Sequence, residues 1–301
     1  MVGGFAVENE TWKWSIWELI WLSGFCLVVL IFTLPETSGA TILYKRAKRL
    51  RKVTGKSTIK SAVEIEAQDV QIKDIVIASL WRPFQLCFQE PILIATNIYL
   101  GLIYSLLYTW FEAFPIVFGS IYNFDPGRSG MAFLGTLVGA WGVMIPYCAW
   151  LYFYQEPEFD ADGNIPPEKR LPPAIAGSWC IPICMFWFGW TSRPSVHWIV
   201  PIIGSCFFSI GAFPLFNAIL NYQSDAYPVY VGSVLAGNDL VRSSMGGAFP
   251  LFARAMFYRL GINWGCSLLG FFSIAFIPIP ILLSMYGKRI RLRSQYARHD
   301  I

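Results

Sequence analysis

The residues able to do chemistry in this chain are few, and they stand where an apolar helix should avoid them. Between Ser209 and Leu260, two long apolar stretches carry Asn217 and Asn221 on the first and Asn238, Asp239 and Arg242 on the second. An Asp or Arg at the centre of a membrane helix costs about 2.5–3.5 kcal/mol to insert. Such residues are therefore rare in spans and face a bundle interior or a water-filled cavity. Asp239 and Arg242 stand at i,i+3, so they share a helix face and can pair, which lowers the insertion cost of each. Glu112, in WFEAFP, lies near the end of another apolar stretch. Asn97 and Tyr104 stand seven apart on that stretch, hence on roughly the same face. A carboxylate in such surroundings is suited to taking up and releasing a proton. Two readings stay open: a polar path through a bundle, or a structural Asp239–Arg242 clamp with Glu112 in interfacial water.

Other chemistry finds little support. His197 and His299 are the only histidines, one in a loop and one in the tail, and there is no G-x-S-x-G elbow. Cys180 and Cys184 suit one helix face at i,i+4, with nothing nearby to complete a metal site. All seven cysteines read as small buried hydrophobes. No catalytic residue, metal or cofactor is expected, and the chain does not read as an enzyme.

The elements that must hold these residues follow from composition. The 301 residues are 55% hydrophobic, 17% aromatic and only 14% charged, against about 25% charged in a soluble domain. Apolar runs near twenty residues recur, each long enough to cross a bilayer. The chain is thus expected to be an all-α membrane protein. Its seven transmembrane helices are Trp14–Leu34, Pro91–Phe114, Ser129–Tyr154, Ala174–Ser192, Ile199–Tyr222, Val229–Phe257 and Asn263–Tyr286. By region, 1–34 is an outer leader with the first span, and 35–90 is a cytoplasmic basic loop. A six-helix unit follows over 91–286, then a basic tail over 287–301. Residues 1–13 lack the positive n-region and cleavage site of a secretory signal.

Within the loop, YKRAKRLRK packs six basic residues into the eight from Lys45 to Lys52. A nucleic-acid patch, a nuclear-import signal and a juxtamembrane cluster compete as readings, and its place about ten residues past a span favours the last. Nucleic acid is not an expected partner. Ser61 and Glu64 have capping-box spacing. Beyond them Ile72, Ile75, Val76 and Leu80 share a helical face opposite Lys73 and Asp74, reading as an interfacial helix that ends at Trp81-Arg82-Pro83. With the spans alternating, one side holds seventeen Lys and Arg and the other five. The positive-inside rule then sets the N-terminus outside and the C-terminus in the cytoplasm. Pro146, Pro182, Pro214, Pro250, Pro278 and Pro280 are expected to kink their spans. Gly135 and Gly139, continued by Gly142, offer a close helix approach.

Three strings resemble one family. LPETSGATILYKRAKRLRK (34–52) is similar to the end of the sixth helix and the basic central loop of the fungal drug:proton antiporter branch of the major facilitator superfamily. FNAILNYQSDAYPVYVGSVLAGNDLVRSSMGGAFPLF (216–252) resembles its tenth and eleventh helices. MFYRLGINWGCSLLGFFSIAFIPIPILLSMYGKRIR (256–291) resembles the junction to its twelfth helix and the tail. The likeness covers nearly the whole chain. It implies the second six-helix half plus one preceding helix, without a counterpart to the first five helices. A truncated product, a misread frame, or a half that assembles with a complementary N-terminal half are the alternatives.

The resemblance also implies alternating access, with the second, third, fifth and sixth spans facing a central cavity. Asn97, Tyr104, Glu112, Asn217, Asn221, Asp239 and Arg242 would lie on those helices. The implied partners are the bilayer, small organic compounds or drugs, and protons, in a plasma-membrane exporter. A seven-helix receptor is the alternative by topology. Against it, Tyr154 runs into Gln155-Glu156-Pro157 rather than a DRY-like triplet, and 263–286 holds neither NPxxY nor a lysine for a Schiff base.

Overall fold

The computed structural model describes residues 2–9, 11–66, 76–161 and 163–299, and no strand occurs among them. The first helices are α1 (Val2–Asn9), α2 (Trp12–Thr33), α3 (Gly39–Thr54), α4 (Ala62–Glu66) and α5 (Arg82–Gln89). The bundle follows as α6 (Pro91–Phe111), α7 (Pro126–Met131), α8 (Leu134–Trp150), α9 (Pro172–Thr191) and α10 (Ile199–Ala226). It ends with α11 (Val231–Ala248), α12 (Pro250–Phe276) and α13 (Pro278–Arg291). Wider π-helical turns precede α5 at Ile77–Trp81 and prolong α6 at Pro115–Ile121 and α8 at Leu151–Gln155.

Among the described residues, six helical stretches are long and apolar enough to cross a bilayer. The chain is an all-α, multi-pass membrane protein. The helix expected as the sixth span is not one of the six, and the reason is its content. Within 18 residues α11 carries Asn238, Asp239, Arg242 and four glycines, too polar a helix to be recognised by apolarity alone. The expected span over 229–257 is in fact divided, because Pro250 opens α12. The expected boundary near 260 reappears as a break inside α12 at Gly261, whose φ of 77° suits a residue without Cβ.

Proline placement accounts for several helix starts. Pro91, Pro126, Pro172, Pro250 and Pro278 stand in first turns, where a missing N–H loses no helical bond. Pro146, Pro182 and Pro214 do lie inside helices. Pro250, Pro278 and Pro280 do not, so the expectation that they kink spans is corrected: they begin α12 and α13. Asp225 lies in the last turn of α10, and the chain passes through Tyr227–Tyr230 into α11.

The core is aromatic. Trp110 is fully buried, stacked on Phe208 at 5.3 Å and edge-on to Phe114 at 4.8 Å and Phe188 at 5.3 Å. Against it α8 crosses α10 at Gly135 and Gly139; a Cβ on Gly139 would stand 2.9 Å from the Cys206 Cα. Gly142 faces open space and does not continue that seam. α9 crosses α10 where Gly177 and Gly211 each press on the other's carbonyl. By contrast α2 has no buried residue and packs against α1.

At one end of the bundle, segments expected on the same side meet. Arg170 Nε donates to Asp225 Oδ2 at 2.7 Å, and the buried Arg291 donates to Glu168 Oε1 at 3.2 Å. The Arg298 amide donates to the Ala226 carbonyl at 2.9 Å, and Tyr227 donates to Glu90 at 2.9 Å. At the other end Tyr122 Oη donates to the carbonyls of Arg193 and Val196, at 3.1 and 3.0 Å.

The basic cluster forms helix α3, closed by Gly55 in the left-handed region at φ 68°. The capping box also forms: Ser61 N–H donates to Glu64 Oε2 at 2.9 Å and Glu64 N–H to Ser61 Oγ at 3.3 Å. Arg51 joins it at 2.7 Å, and that hydrogen bond holds the Glu64 carboxyl below the usual carboxylate range. Of the expected interfacial helix, Ile72, Lys73, Asp74 and Ile75 lie outside the described residues. Its end at Pro83 is corrected, since α5 runs on to Gln89 with Pro83, Leu86 and Cys87 buried. The cysteines are corrected too: Cys87, Cys184 and Cys266 are buried, but Cys26 and Cys148 are exposed.

Candidate functional site

Two polar constructions occupy the face formed by α6, α8, α10 and α11. The first is a buried hub. Asn97 Oδ1 accepts from Gln223 Nε2 and from Asn238 Nδ2, both at 2.8 Å. Its Nδ2 donates to Cys87 Sγ at 3.3 Å, and Gln223 Nε2 also donates to Thr96 Oγ1 at 2.7 Å. One amide thus joins α5, α6, α10 and α11. Close approach makes this possible, because Gly237 sits directly against Cys87 and the Pro83 carbonyl. Gln223 Oε1 is buried without a partner among the described residues.

The second is an open cleft of about 460 Å³ farther along the same helices. Tyr104, Leu107 and Phe111 of α6, Thr136 and Ala140 of α8, Phe208, Phe213, Phe216 and Asn217 of α10, and Arg242 of α11 line it. Arg242 donates to Asp239 Oδ1 at 2.5 Å. Its guanidinium lies 5.0 Å from the Tyr104 ring centre and 5.9 Å from that of Phe216. The two partners differ in environment: the Arg242 side chain is 23% exposed and that of Asp239 is 63%. The cation is therefore sandwiched between rings, as cation–π attraction favours, while its carboxylate is open. Arg242 Nε is buried with no partner among the described residues. Tyr104 and Tyr108 share a hydroxyl hydrogen bond at 3.1 Å.

The expected residues thus divide. Tyr104, Asn217 and Arg242 meet in the cleft, with Asp239 at its edge through Arg242. Asn217 spends its amide N–H on the Phe213 carbonyl at 2.9 Å, which leaves its oxygen for the cleft. Asn97 lies in the hub instead. Asn221 is exposed and lines neither construction. Glu112 caps the far end of α6 and pairs with Arg254 at 3.1 Å, away from the cleft. Sequence reasoning passed over Gln223 and Thr96, the first because it was placed in a loop. Gln223 and Asn238 flanking one turn, with Asn97 on a third helix, was the available signal.

A model of the Major Facilitator Superfamily matches residues 1–250. The chain belongs to that superfamily. Its relatives in the superfamily include Transporter mfs1 of Schizosaccharomyces pombe, 44% identical over 99% of this chain and 57% of that protein. The Cycloheximide resistance protein of Candida maltosa is 41% identical over 98% of this chain and 55% of its own length. Multidrug transporter FLR2 of Candida glabrata is 39% identical over 99% and 51% respectively. The chain therefore spans about half the length of the curated relatives it matches. No solved structure matches it. Membership in a superfamily whose matched relatives carry such names leaves the receptor alternative without support. The four helices implied by the resemblance to face a cavity are those that line the cleft.

Proposed function

We propose that this chain supplies one half of a proton-coupled exporter of small organic compounds, working by alternating access in the plasma membrane. The observation that carries the proposal is the cleft: aromatic walls from α6 and α10 with one ion-paired arginine of α11 at their edge. Aromatic rings accept apolar compounds of varied shape, and a single half-buried guanidinium orients their polar groups. Asp239, open beside Arg242, is the group placed to exchange a proton as the pair opens. The relatives' printed names, multidrug transporter and cycloheximide resistance protein, support drugs as the substrate class.

The all-round exposure of the apolar α2 supports a bilayer and a complementary N-terminal half as its neighbours. The excess of Lys and Arg at the end holding α3, Arg170 and Arg291 supports that end as cytoplasmic, with the N-terminus outside.

The test joins this chain to the five leading helices of a relative and follows proton-driven efflux of cycloheximide. Arg242→Ala is expected to lower efflux about tenfold, the loss of a half-buried cation–π contact and its ion pair. Asp239→Asn is expected to remove its dependence on the proton gradient. Unchanged efflux at unchanged expression in both variants would reduce the pair to scaffolding and end the proposal.

A further inference from the structure

Where α13 leaves the bundle, a cleft of about 660 Å³ opens between its last turn, the turn over 293–296 and the α5–α6 junction. Arg289 and Arg293 line it, with Gln89, Tyr286 and Gln295 as further donors. The cations of this region are not equivalent. Arg291, fully buried, is committed to Glu168 and to the Arg298 carbonyl at 2.6 Å. Arg298 reaches Asn164 at 2.8 Å. Arg289 and Arg293 are exposed and have no carboxylate partner among the described residues. Glu90 also borders the cleft, but its Oε2 accepts from Tyr227 and the residue is only 4% exposed. The wall is set in place: Ser294 Oγ accepts from the amides of Tyr296 and Ala297 at 3.1 and 3.0 Å, and Tyr296 Oη holds Gln85 at 3.1 Å.

We propose that this cleft binds the phosphate of an anionic phospholipid. Two arginines on one side of a cleft, with neutral donors between them, match a phosphate's charge and its several acceptor oxygens. What selects a lipid over a free phosphate is the helix face below. Leu282, Met285, Tyr286 and Arg289 follow one another at helical spacing, and all are exposed. From Leu282 to Arg289 the helix rises about 10 Å. The headgroup layer is about 5–8 Å deep on each side of a bilayer. Acyl chains lying on Leu282 and Met285 would therefore bring their phosphate level with Arg289 and Arg293. Tyr286 stands between, where interfacial aromatics collect. In the orientation proposed above, this end faces the leaflet richest in anionic lipid. The site is independent of the exporter reading, since its lining shares no residue with the transport cleft.

The experiment titrates the full chain, in mixed micelles, with dioleoylphosphatidylserine and with dioleoylphosphatidylcholine, counting bound lipid by native mass spectrometry. Phosphatidylserine is expected to bind more tightly, and more weakly as salt rises. Each of Arg289→Gln and Arg293→Gln should weaken it about fivefold and the pair about 25-fold, as loss of one and two cations at a membrane surface implies. Lys288→Gln, one residue away but outside the cleft, should leave binding unchanged. Gln295→Glu, on an exposed side chain that folding does not need, should also weaken it, and it decides the matter if the double variant does not fold. Equal binding of the two lipids, wild-type binding by the double variant, or an equal loss with Lys288→Gln would overturn the site. At matched ionic strength, inorganic phosphate binding the lipid-free chain as tightly as phosphatidylserine does would overturn the lipid as its occupant.

Discussion

Asn97 is the residue on which the bundle's polar interior turns, because its one carbonyl oxygen accepts from two other helices. Replacing it with Leu leaves Asn238 Nδ2 without that acceptor, whereas Gln223 keeps Thr96. A buried donor left unpaired costs about 1–3 kcal/mol, but hydrogen bonds inside membrane proteins average about 0.6 kcal/mol. The expected loss for Asn97→Leu is accordingly about 1–2 kcal/mol, read as a lower unfolding midpoint in detergent. Asn238→Leu should cost less, since Asn97 retains Gln223. Because the two share one bond, the double variant should lose less than the sum of the singles. Strict additivity would dissolve the hub. The sequence announced part of this arrangement: polar residues in apolar helices were visible, and Tyr104, Asn217 and Arg242 do gather. What spacing could not say is which polar residue meets which helix. Asn97 and Tyr104, seven apart, end in different constructions, and Gln223 was hidden by a helix end misplaced by a few residues. Glu112 went elsewhere because Arg254, a residue on another helix, captured it.

At the scale of elements, small residues decide which helices touch. Gly139 lets α8 meet α10 backbone to backbone, and any side chain there would collide with Cys206. Gly142, three residues on, meets nothing within 4 Å. Gly139→Leu is therefore expected to force the helices apart and abolish the folded protein, read as loss of a monodisperse peak on size-exclusion chromatography. Gly142→Leu should behave as wild type. Equal tolerance of both would mean that α8 and α10 do not cross at this seam. The glycine spacing was legible beforehand, but its extent was not, since a face is fixed by the partner helix as well as by its own sequence. The same limit shows in α11. Hydropathy finds helices that lipid surrounds, and this helix packs one side on α6 and α5 and leaves Asp239 open on another. Its polar content is what made it the most informative stretch and the least span-like one.

For the whole molecule, topology is the property most directly open to test. Contacts at the two ends already sort the connections into two sets: Arg170 with Asp225 and Arg291 with Glu168 on one, Tyr122 with Arg193 and Val196 on the other. Such sorting requires each span to run opposite to its neighbour, so a single position on each set fixes the whole chain. Ala161 lies in the first set, exposed in the turn that the Gly163 N–H closes on the Asp160 carbonyl at 3.0 Å. Ser195 lies in the second, between Arg193 and Val196. In intact cells a membrane-impermeant maleimide is expected to label Ser195→Cys and to spare Ala161→Cys until the cells are permeabilised. Native Cys26 and Cys148 are exposed, so both are replaced by Ser and only the introduced thiols report. The reverse pattern would invert the orientation while leaving the fold intact. Labelling of both positions in intact cells would be graver, since it would break the alternation of spans on which the polar face, the cleft and the exporter reading all depend.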